Sequence, residues 1–144
     1  MIPVKKLKII PVEELKVGDF AIYPAMNNAP VAVSSYDGKT ILISLGRHEP
    51  EFDWFRIDNL PGNAIVIADA EVEIDPWSHS ENNLGIGCLI RMGTQLQINA
   101  QADHGAISIP LLQGLETVSY PRAYFGRWRV VVRDDDREFV LASR

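Results

Sequence analysis

The sequence predicts an all-β protein, an antiparallel barrel or a two-sheet sandwich of about nine or ten strands. Three observations carry that expectation. From Cys88 to Gln101 the chain alternates: Cys88, Ile90, Met92, Thr94, Leu96, Ile98 and Ala100 fill one phase, and mostly polar or glycine residues fill the other. Only a β-strand has a side-chain period of two. Asp37-Gly38 stands between two apolar runs, and this pair tolerates the positive φ of a tight hairpin. Finally, no window sustains the i, i+3, i+4, i+7 spacing of an amphipathic helix.

Ten segments fit strands. Val4 to Ile10 comes first, followed by Pro11 to Leu15, where an early proline suits one short helical turn within residues 11–16. Phe20 to Tyr23 follows the Val17-Gly18-Asp19 turn. The segment Leu15 to Tyr23 resembles the opening turn and strand of small SH3-type barrels. Val31 to Ser35 and Lys39 to Leu45 flank the Asp37-Gly38 turn. Ala64 to Ile74 presents Val66, Ala68, Ala70, Val72 and Ile74 on one face and Asp69, Glu71 and Glu73 on the other. At about 3.3 Å per residue, Cys88 to Gln101 would reach roughly 46 Å, so a bend is expected, and Gly93 is its natural place. Ala106 to Leu112, Leu115 to Tyr120, Tyr124 to Arg133 and Glu138 to Ser143 complete the set, the last after a turn at 134–137.

The 144 residues fit one domain with a self-sufficient core. Cys88, the one cysteine, falls in the apolar phase and reads as a buried thiol without a basic neighbour to activate it. The first ten residues lack the apolar core of a signal peptide, and no run is long enough to cross a bilayer, so a cytoplasmic location is expected. The net charge of −5 comes from the middle third, since residues 46–87 hold two arginines against nine Asp and Glu. That distribution opposes nucleic-acid and anionic-membrane binding.

Three groups of residues are candidate sites. His48, His79 and His104 all stand beside carboxylates, but their spacing matches no compact metal motif. In a simple meander the 46–63 loop and the 102–105 turn share one end, so His48 and His104 can meet there while His79 cannot. Long alternating strands beside a histidine-bearing loop resemble cupins, whose paired histidines and glutamate are absent here, so that likeness supplies no ligands. No metal ligand set and no cofactor is expected.

Residues 46–63 form the longest irregular segment, with Phe52, Trp54 and Phe55 set among Arg47, His48, Asp53 and Arg56. Such loops are often functional. The aromatics either anchor a ligand or partner, or fold back to plug one end of the core, and plugging is favoured. In the Asp75 to Gly87 loop, polar groups around Trp77 suit a sugar or another polar ligand. They also suit a solvated loop that Trp77 staples to the core, and the staple is preferred.

The third group is electrostatic. Arg127, Arg129 and Arg133 share one face of the Tyr124 to Arg133 strand, and Asp69, Glu71 and Glu73 share a face of another. Were the two strands neighbours, the charges would form a cross-strand ladder. Otherwise they are complementary stripes that could meet in an oligomer. Nucleophilic catalysis finds no support, because Ser78 and His79 are chain neighbours on extended backbone and point apart.

The sequence therefore favours a non-enzymatic binding or interaction module that self-associates, with another protein or itself as partner and no nucleic acid or membrane. The alternative is a small-molecule-binding barrel, extending to a metal-dependent enzyme, with its site at the mouth near residues 46–63.

Overall fold

The computed structural model describes residues 1–102, 105–116 and 122–144. Among these residues the chain makes three antiparallel sheets. The first contains β1 (Leu7–Pro11), β2 (Phe20–Tyr23), β3 (Ala29–Tyr36), β4 (Lys39–Ser44), β5 (Trp54–Arg56) and β6 (Asn63–Ile67), in spatial order β1-β6-β2-β3-β4-β5. The next strand, β7 (Ala70–Ile74), leaves that sheet. The second sheet contains β8 (His79–Ser80), β9 (Leu89–Met92), β10 (Gln95–Ala102), β11 (Gly105–Leu112) and β12 (Ala123–Phe125), ordered β11-β10-β9-β12-β8. Then β13 (Trp128–Asp134) and β14 (Arg137–Ser143) join β7 in the third, ordered β14-β13-β7. The all-β class stands. None of the sheets closes on itself, so the barrel gives way to sandwich-like packing. Nor is the first sheet a simple meander, the condition under which His48 and His104 would share one end, because β6 inserts between β1 and β2.

Strands exceed the expected number because three long runs are broken and because the short strands β5 and β8 form inside the two segments expected to be loops. The alternating run does more than bend at Gly93. Met92 pairs with Gln95, so Gly93-Thr94 is a two-residue hairpin turn with Gly93 at φ +57. Pairing across it joins even to odd positions: Ile90 faces Gln97 and Leu89 faces Ile98. The apolar phase therefore changes face at the turn. Leu89, Leu96, Ile98 and Ala100 enter the main core, while Cys88 and Ile90 pack with Tyr124 elsewhere.

The run from Ala64 to Ile74 breaks at Ala68-Asp69, with Asp69 at φ +59, and continues as β7 in the third sheet. Tyr124 to Arg133 likewise changes sheets at Gly126-Arg127. Such crossings at a turn are how strands serve two packed sheets. Of the expected strand at Leu115 to Tyr120, residues 115 and 116 lie outside strands and the remainder is not among the described residues. The helical turn expected near 11–16 is a 3-10 turn at Val12–Glu14, and four more occur among the described residues: Val4–Lys6, Pro24–Met26, Ile57–Asn59 and Pro76–Ser78.

Strand alternation splits the first sheet between two cores. Ala21, Tyr23, Val31, Val33 and Leu42 face a core closed by Val12, Leu15, Met26 and Ile57 from the short turns. Phe20, Ala32, Ile41 and Ile43 face the other way. There they meet Leu89, Ile98 and Ile109 of the second sheet and Trp128 and Val130 of the third, so one core joins all three sheets.

Candidate functional site

The aromatic segment is where the plugging expectation meets the structure. Residues 54–56 form strand β5 on β4, with Trp54 opposite Ile43 and Phe55 opposite Leu42. Period-two alternation then sends neighbouring aromatics to opposite faces. Trp54 packs on the three-sheet core and Phe55 on the other. Phe52 is buried with its ring 5.9 Å from that of Trp128 and edge-on to it.

The backbone of residues 52–53 stitches two sheets: Ser44 N donates to Asp53 O at 2.9 Å, and Gln101 N donates to Phe52 O at 2.8 Å. The Asp53 carboxylate accepts from Trp54 N at 2.9 Å. Half-buried His48 lies 5.4 Å from the Phe55 ring, and Arg56 is exposed and paired with Asp58. His104 lies outside the described residues, so its juxtaposition with His48 is not described. His79 belongs to β8 and leans on Phe125 at 5.6 Å. Among the described residues, no group of three or more His, Cys, Asp or Glu side chains could hold a metal ion.

The two charged stripes are neighbours in one sheet. Arg129 stands opposite Glu73 and Val131 opposite Glu71 in the β13–β7 register. Arg129 reaches Glu73 at 2.8 Å and Glu138 at 2.7 Å. Arg133 contacts Glu71 at 3.4 Å, Glu138 at 3.0 Å and also Glu73. Hydrogen bonds from Arg133 and then Arg129 hold the Glu73 carboxyl below its ordinary pKa, and Glu73 in turn raises that of Arg133. The flanking members pair elsewhere, Asp69 with Lys6 at 2.8 Å and Arg127 with Asp75 at 3.0 Å. Each of the six stripe residues therefore has a partner on its own chain, the arrangement of a ladder rather than of two separated patches.

The second long loop departs from its expected role. Trp77 is not a staple, because it is 91% exposed. Its backbone is nonetheless fixed. One Asp75 oxygen caps the 3-10 turn by accepting from Trp77 N at 2.9 Å, and the other pairs with Arg127. Ser78 Oγ donates to Asp75 O at 2.7 Å and accepts from Arg127 N at 3.0 Å.

Beside this turn the end of the third sheet forms a cleft of about 390 Å³, lined by Glu73, Asp75, Arg127, Arg129, Ser143 and Arg144, with Ile74 and Trp128 contributing apolar surface. A roomier hollow of about 540 Å³ between β1 and residues 14–19 balances Lys8 and Lys16 against Glu14 and Asp19, without an exposed aromatic in its lining. The sequence favours a staple role for Trp77 and carries no signal for Arg144. The one local signal was Asp75-Pro76, a capping residue followed by proline, which marks a short turn that can hold its third residue clear of the sheet.

A family model described as Y4lG, uncharacterised protein y4lG, matches residues 13–144. The chain belongs to that family. No curated protein gave a match. Among solved structures, the chain is weakly similar to one titled eukaryotic translation initiation factor 5A from Methanococcus jannaschii. The two share 15% identity over 99% of this chain and 98% of that one, with a TM-score of 0.28. At that score no argument about function passes from one to the other. Among the described residues of this family member, no helix is long and apolar enough to cross a membrane.

Proposed function

We propose that this protein is a single-domain, non-enzymatic interaction module of the cytoplasm and that it docks a protein partner on the surface around Trp77. The observation that carries the reading is the 91% exposure of Trp77 on a turn pinned by Asp75 and Ser78. An indole held in water costs the free protein and rewards association. Covering about 200 Å² of aromatic surface is worth about 5 kcal/mol before binding costs are subtracted. Tryptophan and arginine are also the residues enriched at the energetic centres of interfaces, and Arg127 is tied to this turn through Asp75. The burial of Phe52 and the packing of Trp54 and Phe55 on the two cores move the preferred anchor from the 46–63 segment to Trp77.

The test compares wild type with Trp77→Ala. Because Trp77 is almost wholly exposed, its removal changes folding stability by less than about 0.5 kcal/mol. Sedimentation and affinity capture then read association at matched stability. Loss of a bound protein or of self-association in the variant supports the reading, and an identical profile for both proteins contradicts it.

A further inference from the structure

We infer that the cleft beside Trp77 receives an acidic polypeptide segment, with a partner carboxylate on the Arg144 guanidinium and an adjacent apolar side chain over Trp77. The inference rests on the reading of Trp77 as a docking surface and adds the chemistry of what docks.

Arg144 is the starting point. Around the cleft, Arg127 is paired with Asp75, and Arg129 with Glu73 and Glu138. The Arg144 guanidinium donates to carbonyl oxygens, through Nη1 to Gly126 O at 3.2 Å and Nη2 to Leu84 O at 3.4 Å, and among the described residues no Asp or Glu side chain lies within salt-bridge distance of it. Those two bonds use two of its five N–H donors. They also fix the planar group between two chain segments, which lowers the entropy lost on meeting a second acceptor. A carboxylate is the acceptor whose geometry matches a guanidinium fork.

The apolar half of the site is contiguous with this guanidinium. Leu84, 39% exposed, lies over Gly126, where an added Cβ would meet Leu84 Cδ1 at 3.1 Å and both Arg144 Nη1 and Ser78 O at 4.0 Å. Ser78 directly follows Trp77. Leu84 and the guanidinium thus meet at the Gly126-Arg127 turn, where Gly126 N donates at 3.2 Å to Ser78 O, the residue next to exposed Trp77, and Arg127 and Arg144 line the cleft of about 390 Å³.

Charge separates the candidate occupants. The cleft lining carries three arginines against Glu73 and Asp75, and among the described residues Arg144 is the one of the three without an Asp or Glu side chain as partner. That suits one or two carboxylates beside an apolar residue. A nucleic-acid backbone or an anionic bilayer calls for several free cations in a row, and the arginines of the ladder are already engaged.

The probe is a fluorescein-labelled heptapeptide with Asp-Phe-Asp at its centre, titrated with the full chain and followed by anisotropy. The expected result is saturable binding that weakens with added salt. Affinity falls at least about tenfold for Arg144→Gln, for Trp77→Ala, for an Asn-Phe-Asn peptide and for an Asp-Ala-Asp peptide. Arg56→Gln, at the exposed Arg56–Asp58 pair, leaves affinity unchanged.

Equal binding of the Asn-Phe-Asn peptide would overturn the acidic chemistry while sparing the Trp77 surface. No binding of the acidic peptide at millimolar concentration would overturn the inference, and the Trp77 reading would still stand if partner capture depended on Trp77. Binding indifferent to Trp77→Ala, or displacement of the peptide by a single-stranded oligonucleotide at comparable concentration, would overturn it as well.

Discussion

Gly87→Ala probes the point where the three sheets meet. Gly87 N donates to Asn99 O at 2.7 Å, and Gly87 O accepts from the Trp128 indole at 2.7 Å. A Cβ placed on Gly87 would lie 2.4, 2.7 and 2.9 Å from three carbons of the Phe52 ring, at a backbone φ of +84. Two costs follow: overpacking of about 1–3 kcal/mol, and about 1–2 kcal/mol for an L-residue in left-handed backbone. Together they predict a loss of about 2–5 kcal/mol.

Phe52→Ala should cost about 3–5 kcal/mol by itself, and it removes the ring that the new methyl would strike. The double variant therefore retains only the backbone cost of Gly87→Ala and loses about 4–7 kcal/mol in all, about 1–3 kcal/mol less than the sum of the single effects. Urea unfolding of the four proteins, all in the same concentration of sucrose to keep the weakest folded, measures that coupling. Additive losses, or a Gly87→Ala protein within about 0.5 kcal/mol of wild type, would refute the view that Phe52 clasps the sheets together and would return it to the candidates for a mobile binding anchor.

Three further outcomes follow from the geometry. Because Glu73 and Asp134 have folded pKa values below their ordinary 4.5 and 3.8, the stability they contribute is complete above those values and is lost as pH falls through the depressed ones. Thermal melts should weaken across that acidic window, and Glu73→Gln should flatten the dependence; a variant profile parallel to wild type would argue against the ladder. In a Cys88→Ala background, cysteines at positions 90 and 97 face each other across the hairpin and should crosslink on oxidation, whereas cysteines at 90 and 98 should not, and the reverse pattern would contradict the reversal at Gly93-Thr94. Among the described residues Trp54 Nε1 is buried without a hydrogen-bond partner, so Trp54→Phe should change stability by less than about 1 kcal/mol in urea unfolding; a loss of several kcal/mol would mean that this donor is satisfied in solution.

The sequence makes local periodicity legible and leaves parity across turns obscure. Cys88 to Gln101 reads correctly as strand, yet nothing in its alternation says that Gly93-Thr94 reverses the chain. That reversal is what parts Cys88 and Ile90 from Leu96 and Ile98. Ala64 to Ile74 and Tyr124 to Arg133 read as continuous strands because the breaks at Ala68-Asp69 and Gly126-Arg127 are only two residues long, too short to interrupt a pattern. The ladder was legible once adjacency was allowed, since acidic and basic residues at every second position can meet only if their strands pair. Trp77 was not, because its exposure depends on Asp75 joining the turn to Arg127, a contact 52 positions away in sequence.

Exposure of Trp77 in the free protein and its cover in the bound one is the claim on which the functional account turns, and fluorine NMR of fluorotryptophan-labelled protein measures both. The three tryptophans give separate reporters: Trp128 for the core, Trp54 for the sheet junction and Trp77 for the surface. In buffer, the Trp77 resonance should show the largest solvent-isotope shift; in clarified extract of the native host, it alone should broaden and lose that shift. A Trp77 resonance already protected in buffer, or one that stays free in extract, would contradict the account.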